Sequence, residues 1–298
     1  MLTLGLDIGG TSIKASLLDN DKERWSRRSA PYARPDRDRL FDALQKLFGR
    51  SAGDLGGVEA VGLCAPGLLA PDGKSIAVSI NVPGLVGLGF DELLAASGIM
   101  HITRASGLHI ITDALAGALD IHRTRSLAGR LLAISMGTGV GASVLDHGTP
   151  LIVTGSGPGH LGHIDVTVPE TSDNAAEPAP IPLGADGAQG TLEAYIGLPA
   201  LKARLGEKVE EALTTLSVDA VPCQALVRAL RISHAMYRPN HIVLLGGVGI
   251  RLARLIPELH ARTALHLTSL ARDGWTLSAG DSDFHAARGA AWHAGAIR

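Results

Sequence analysis

Cysteine is scarce. Only Cys64 and Cys223 occur among 298 residues, far apart and in no Cys-x-x-Cys pair. That argues against a disulfide scaffold and a thiolate metal site, and it fits a reducing cytoplasm. Charge of one sign is also lacking. The formal net charge is −2, so no basic excess is available to neutralise nucleic-acid phosphates. No stretch is long and apolar enough to span a membrane. The N-terminus shows no basic region followed by a long apolar run, because Asp7 interrupts it. A cytoplasmic protein with no membrane or nucleic-acid partner is expected. With 46% apolar and 19% charged residues, the chain reads as globular and has room for two domains of ordinary size.

Three glycine loops punctuate the apolar segments. The run Leu4 to Ile8 alternates large apolar with small or polar residues, Gly9-Gly10 follows, and Ser12 to Leu18 reads as a second strand. Leu131 to Ser135 and Gly141 to Leu145 form a second apolar hairpin around Gly137-Thr138-Gly139. His241 to Leu245 is a strand that closes on Gly246-Gly247, with a helix beyond it. Between these loops, a helix is expected from Asp36 to a stop at Gly49. A strand spans Ala60 to Cys64, a buried strand His109 to Ile111 ends at Thr112-Asp113, and an Ala-rich helix follows. Helical patterns cover Thr191 to Arg204, Pro222 to Met236 and the last stretch from about Phe284. Val166 to Asp186, polar and rich in Pro and Ala, reads as a loop. The strand, glycine turn and strand near residue 9 recur near residue 139, as duplicated halves would produce.

Glycine permits close backbone approach and positive φ, so a glycine turn can direct backbone N–H groups at phosphate oxygens. Gly9, Gly10 and Thr11 offer such a turn. Asp7 at the strand end is suited to hold Mg²⁺ through water, and Lys14 adds a cation on the returning strand. The dinucleotide fingerprint is excluded because a strand, not a helix, follows the glycines, and no Gly-Lys-Ser/Thr of a Walker A loop is present. Gly137, Thr138 and Gly139 repeat the device. Gly246 and Gly247, opening a helix, suit a nucleotide's ring or sugar.

In order along the chain, Asp7-Ile-Gly-Gly-Thr-Ser-Ile-Lys14, Pro66-Gly67, Asn81-Val-Pro-Gly84, Gly137-Thr-Gly-Val-Gly141, Gly159-His-Leu-Gly-His163, Leu192-Glu-Ala-Tyr195 and Gly246-Gly247 resemble the motifs of the ROK family of sugar kinases, in the actin-like ATPase superfamily. The resemblance implies an α/β, two-domain actin-like (ribonuclease H-like) fold with the active site in the interdomain cleft. Its N-terminal domain would span 1–112 plus a C-terminal helix at about 284–298, and its second domain 113–283. It implies ATP and Mg²⁺ as cofactors, a sugar or sugar-like polyol as acceptor, and a homodimer. It makes Asp113 the catalytic base, a role suited to a carboxylate at a strand end that accepts a hydroxyl proton while the oxygen attacks γ-phosphate. The plainer reading of Asp113 is a helix N-cap before Ala114. Asn81, Thr112, Asp113, His160, His163 and Glu193 fall at substrate-gripping positions.

Three departures from the family pattern stand out. Where the family often has a structural zinc held by one histidine and three cysteines, this chain has His163 with Gly184, Asp186 and Thr191. No structural zinc is expected, and His160, His163 and Asp165 read as pocket or surface residues. His160 replaces a Glu and thereby offers one donor and one acceptor instead of two acceptor oxygens. Thr112 replaces an Asn. Changed polar groups of this kind alter substrate choice, so an amino sugar, a less common hexose or a valiolone-type C7-cyclitol is expected to be preferred over glucose. Competing readings are a ROK-type repressor, a catalytically weak sugar sensor and another actin-like kinase branch. The first lacks its helix-turn-helix before Asp7, retention of Asp7, Lys14 and Asp113 opposes the second, and the 159–163 and 192–195 segments oppose the third. His101, His122 and His285 have no metal spacing and read as surface or core residues.

Overall fold

A computed structural model describes residues 1–20, 22–49, 55–96, 98, 108–153, 157–170, 179–185 and 187–296. The chain divides into two units. The first joins Met1–Ser126, Ile152–Ser156 and Phe284–Arg298, and the second joins Leu127–Leu151 and Gly157–Asp283.

In the first unit, β1 (Leu2–Ile8), β2 (Ile13–Asp19), β3 (Lys22–Arg28), β4 (Ala60–Cys64) and β7 (Leu108–Ile111) form one sheet in the order β3-β2-β1-β4-β7. β2 and β3 run antiparallel to their neighbours, while β4 and β7 are parallel to β1. The short strands β5 (Leu68–Leu69) and β6 (Ile76–Val78) make a separate ribbon. β1 is central, and every residue after Leu2 is buried, including Thr3, Gly5 and Asp7 that alternate with its large apolar residues. β3 lies at the sheet edge and reads Lys-Glu-Arg-Trp-Ser-Arg-Arg. Such a polar edge discourages pairing with other chains, and it leaves no apolar pattern to mark a strand in the sequence. α1 (Arg37–Phe48) begins where the Asp36 carboxylate accepts the Arg39 N–H at 3.0 Å. It buries Leu40, Ala43, Leu44 and Phe48 against Leu4, Leu6 and Ile8. α2 (Phe90–Ala96) joins the same core, and α3 (Asp113–Arg125) follows β7.

The C-terminal helix, α10 (His285–Ala296), packs on β1, β4 and α3. The approach is backbone to backbone. A Cβ on Gly5 would collide with the Ala287 carbonyl, one on Gly62 with the Ala290 carbonyl, and one on Gly289 with the Ala116 carbonyl. α3 is therefore part of the first unit, and the division falls after Ser126 and not before Asp113. A polar cluster ties the two helices together. Asp120 of α3 is fully buried. It meets His285 Nδ1 at 2.6 Å, Arg288 Nη2 at 2.8 Å and Trp292 Nε1 at 3.3 Å, all from α10.

The second unit repeats the topology. β8 (Arg130–Met136), β9 (Val140–Asp146), β10 (Thr149–Pro150), β11 (His241–Leu245) and β12 (Thr276–Ala279) form a sheet in the order β10-β9-β8-β11-β12. The hairpin is again antiparallel and the following strands parallel. The helical pattern over Thr191 to Arg204 resolves into α4 (Leu192–Ile196) and α5 (Leu198–Leu205), broken at an extended Gly197. α6 (Val209–Thr215), α7 (Val221–Tyr237), α8 (Gly246–Arg251) and α9 (Ile256–Leu265) complete the unit. Its core sets Leu226 and Leu230 of α7 with Leu132, Ile134 and Leu244 of the sheet. The described parts of the stretch from Val166 to Asp186 contain no helix or longer strand; residues 171–178 and Asp186 lie outside the described residues, as does His101.

Gly289→Ala tests the helix contact. Overpacking against fixed backbone should cost roughly 3 kcal/mol, the upper end of such penalties. A denaturation midpoint equal to wild type would show that α10 can withdraw without loss.

Candidate functional site

The β1–β2 hairpin brings Asp7 opposite Lys14 in register, and Lys14 Nζ lies 3.1 Å from Asp7 Oδ2. The turn between the strands is closed by the Gly9 N–H donating to Ser12 O at 3.1 Å. The amides of Gly10 and Thr11 have no acceptor among the described residues. The segment after β3 braces the turn. The Tyr32 hydroxyl donates to Gly9 O at 2.9 Å, the Tyr32 N–H donates to Thr11 O at 2.9 Å, and Ser29 Oγ accepts the Ile13 N–H at 3.0 Å. Cys64, paired with Asp7 across β4, turns its thiol toward Asp7 Oδ1 at 3.8 Å. Burial and then the Asp7 carboxylate push the Tyr32 phenol and the Cys64 thiol upward, so both stay protonated donors. Tyr32, Ser29 and Cys64 carry no motif, and sequence reasoning passed over them.

Asp113 opens α3. The N-cap is Thr112, whose hydroxyl accepts the Leu115 N–H at 3.3 Å. The capping role weighed for Asp113 therefore belongs to its neighbour. Asp113 sits inside the helix, its Oδ1 accepting the Ala114 N–H at 2.9 Å. Burial first, and the Asp7 charge second, raise its carboxyl to about 6, against the opposing pull of the Ala114 N–H and Lys14. A carboxylate poised near neutrality has the basicity a proton acceptor needs.

The first unit also holds Asn81, half-buried before a 3₁₀ turn at Pro83–Leu85. Ser79 knits this loop to the Pro66-Gly67 loop: its hydroxyl donates to Pro66 O at 3.0 Å and accepts the Val82 N–H at 3.2 Å. Ser79 is another contributor that no motif announced.

In the second unit the β8–β9 turn mirrors the first. Gly137 N–H donates to Gly139 O at 2.9 Å, and the amides of Thr138 and Gly139 find no acceptor among the described residues. Glu193 Oε2 accepts the Val140 N–H at 2.8 Å, and the Leu198 N–H donates to Gly137 O at 2.8 Å. Gly246, at φ +76°, passes so close to β8 that a Cβ would strike the Met136 carbonyl. The third loop thus lies against the base of the second, with Gly247 beside it receiving the Arg251 guanidinium on its carbonyl at 2.7 Å. Gly162 likewise abuts the Val140 carbonyl, which sets the His160–His163 segment beside the same turn. The two imidazoles are exposed and stack at 5.3 Å between centroids.

At the family's zinc positions other bonds are made. Thr191 caps α4 by accepting the Ala194 N–H at 3.2 Å, and Gly184 N–H donates to Ala188 O at 2.7 Å; Asp186 lies outside the described residues. Asp165 Oδ1 accepts both the N–H and the hydroxyl of Thr167, at 2.8 and 2.6 Å. Among the described residues no three His, Cys, Asp or Glu gather as a metal site. Magnesium makes a lesser demand, one or two carboxylates plus waters and phosphates. Asp7 offers one such carboxylate, at the end of β1 beside the glycine turn.

Comparison with known proteins accords with these motifs. The ROK family profile matches residues 3–296. N-acetyl-D-glucosamine kinase of Photobacterium profundum is 26% identical over 306 residues, covering 97% of each chain. N-acetylmannosamine kinase of Salmonella paratyphi B is 31% identical over 169 residues, 55% of this chain and 54% of that one. Among solved structures, a ROK family glucokinase from Streptomyces griseus in complex with glucose and AMPPNP aligns with a TM-score of 0.73 at 20% identity, over 99% of this chain and 100% of that one. The profile spans both hairpins, α3 and the C-terminal helix, and this chain belongs to the ROK family.

Proposed function

We propose that this ROK-family carbohydrate kinase transfers the γ-phosphate of ATP to a hydroxyl of an N-acylated amino sugar, with Asp113 as the base. The observation that carries the reading is Asp113 itself: a carboxyl at a helix start, raised to about 6 by burial and by Asp7, in the unit that also holds the glycine turn and Lys14. Each glycine hairpin offers its apex amides to phosphate oxygens. Asp7 would hold Mg²⁺ through water, and the bound ion supplies charge neutralisation on the phosphates. Asp113 takes the proton of the attacking hydroxyl. The hydroxyl of Thr112, already accepting from Leu115, has its hydrogen left to give, and His160 offers the acceptor a donor and an acceptor in place of two carboxylate oxygens. Asn81 and His163 complete the grip, and Gly246 and Gly247 take the nucleoside. The amino-sugar acceptor draws support from the relatives named for N-acetylglucosamine and N-acetylmannosamine.

Asp113→Asn should abolish turnover while leaving the AMPPNP dissociation constant within about threefold, and kcat/KM of the wild type should fall on the acid side with an apparent pKa near 6. Stability moves the other way. An acid whose pKa rises from 3.8 to about 6 on folding leaves the native state binding more protons. Stability is thus lost as pH climbs through that window, and the full cost, roughly 3 kcal/mol, is present above it. Asn removes the cost, so the variant should be more stable than wild type at pH 7.5 and no more stable at pH 3.5, where native folding persists. Near-normal turnover in the variant would remove Asp113 from the base role.

Acceptor choice is read from an ATP-coupled panel of hexoses, N-acylated hexosamines and cyclitols. The N-acylated hexosamines should lead glucose by about tenfold in kcat/KM, the order expected when a site's polar groups are left unpaired by the poorer substrate. Glucose at the head of the panel refutes the assignment.

A further inference from the structure

The peptides of the first glycine turn are held one by one. The Gly9 N–H donates to Ser12 O at 3.1 Å, the Tyr32 N–H donates to Thr11 O at 2.9 Å, and Ser29 Oγ accepts the Ile13 N–H at 3.0 Å. These bonds fix the Ile8–Gly9, Thr11–Ser12 and Ser12–Ile13 peptides. Among the described residues, the Gly9–Gly10 peptide is held by a side chain alone: the Tyr32 hydroxyl donates to Gly9 O at 2.9 Å. A peptide unit is planar and trans, so its C=O and N–H point in opposite directions. With Gly9 O turned to the phenol, the Gly10 N–H faces away from it. Gly10 is buried, and its N–H has no acceptor among the described residues, whereas buried backbone donors are almost always paired. A peptide between two glycines meets no Cβ on either side as it rotates. Flipped, this one would aim the Gly9 carbonyl oxygen where the Gly10 amide now points.

We infer that Tyr32 is a positioning residue for phosphate binding: its hydroxyl locks the Gly9–Gly10 peptide so that the Gly10 N–H, and not the Gly9 carbonyl, meets the phosphate oxygens of the nucleotide. The inference rests on the kinase reading above and adds a residue that no motif marks. A flip of this peptide does more than lose one bond. It replaces a donor by a carbonyl oxygen, whose partial negative charge repels phosphate where a preset amide attracts it. Burial first, and the Asp7 carboxylate second, push the phenol upward, so the lock remains a donor at working pH. Phenylalanine keeps the ring and its packing and removes only the donor.

The test compares wild type, Tyr32→Phe and Ser26→Ala. Ser26 Oγ bonds Ser16 Oγ at 2.7 Å across the β2–β3 pairing. Ser26→Ala therefore also removes one side-chain hydrogen bond from this part of the sheet, but it touches no peptide of the turn. Measured are binding of AMPPNP with Mg²⁺, binding of N-acetylglucosamine and of glucose, hydrogen exchange over residues 9–12, and the kinetic constants for ATP. Expected for Tyr32→Phe is AMPPNP binding weaker by about tenfold, the scale of one lost bond that leaves a partner unpaired. KM for ATP should rise in step while kcat stays within about threefold, the pattern of lost uniform binding. Exchange at the turn should speed up by about tenfold, and sugar binding should stay within about threefold. Ser26→Ala should keep AMPPNP binding within about threefold of wild type, which separates the lock from a general loosening of the hairpin. AMPPNP binding equally weakened in Ser26→Ala, sugar binding lost alongside it in Tyr32→Phe, or unchanged exchange each overturns the proposal. Wild-type protein that binds no AMPPNP strikes at the kinase reading. A wild type that binds it, matched by a Tyr32→Phe variant that binds it equally well, strikes at Tyr32 alone.

Discussion

The first unit depends on one helix lying where side chains would otherwise stand. α10 meets β1 at Gly5, β4 at Gly62 and α3 at its own Gly289, in each case backbone against backbone. Close packing of this kind leaves no slack, so the three elements that carry Asp7, Cys64 and Asp113 share one support. The Asp120 cluster adds register. Burial pushes the Asp120 carboxyl up, but the His285 and Arg288 hydrogen bonds together outweigh it and hold it below the ordinary range. A buried ionic cluster contributes little net stability compared with apolar packing, yet breaking it is costly. Its effect here is to forbid sliding: only one alignment of α3 on α10 brings His285, Arg288 and Trp292 all to Asp120. Arg123 stacked over Trp292 at 3.8 Å reinforces the same alignment.

That rigidity has an electrostatic use. Asp7 and Asp113 are both acidic and close enough to feel each other, with Lys14 as the compensating cation. Burial is the larger cause of the raised Asp113 carboxyl, and the Asp7 charge, held in place, adds to it. The other ionisable groups around Asp7, the Cys64 thiol and the Tyr32 phenol, are driven further from ionisation by the same field. They add hydrogen-bond donors without adding charge, so among the described residues the charges that bear on Asp113 are those of Asp7 and Lys14.

Much of this was legible in the sequence. Both glycine hairpins, the capped helix after Asp36, the strand ending at Thr112 and the C-terminal helix announce themselves through apolar period, caps and glycine. The missed elements lack those signals. β3 is an edge strand written in charged residues, and α6 and α9 are short helices with mixed faces. The single helical pattern over 191–204 hides a break because Gly197 interrupts it without disturbing the apolar spacing. At the site, motif residues were found and their supports were not. Tyr32, Ser29 and Ser79 act through backbone atoms far along the chain, and such contacts leave no periodic mark. The cap weighed for Asp113 falls one residue earlier, at Thr112, because Thr and Asp are both good caps and adjacent in sequence.

The two hairpins share a topology but not a brace. The first is held by Tyr32 and Ser29 from the segment after its own edge strand, and the second by Glu193 and Leu198 from helices some fifty residues onward. Where the family resemblance would put a zinc site, this chain has a ladder of backbone bonds, Val166 to Gly190 at 2.9 Å and Gly190 to Pro182 at 2.9 Å, with Asp165 tied to Thr167. The glycine contact at Gly162 sets the His160–His163 segment against the turn. The His160 side chain is exposed, and Thr112 has a capping hydroxyl that several small polar residues could supply. Neither side chain is fixed by the packing that holds the two glycine turns. The departures this sequence displays follow that division: both glycine turns are intact, and the changes fall at Thr112, at His160 and at the positions Gly184, Asp186 and Thr191.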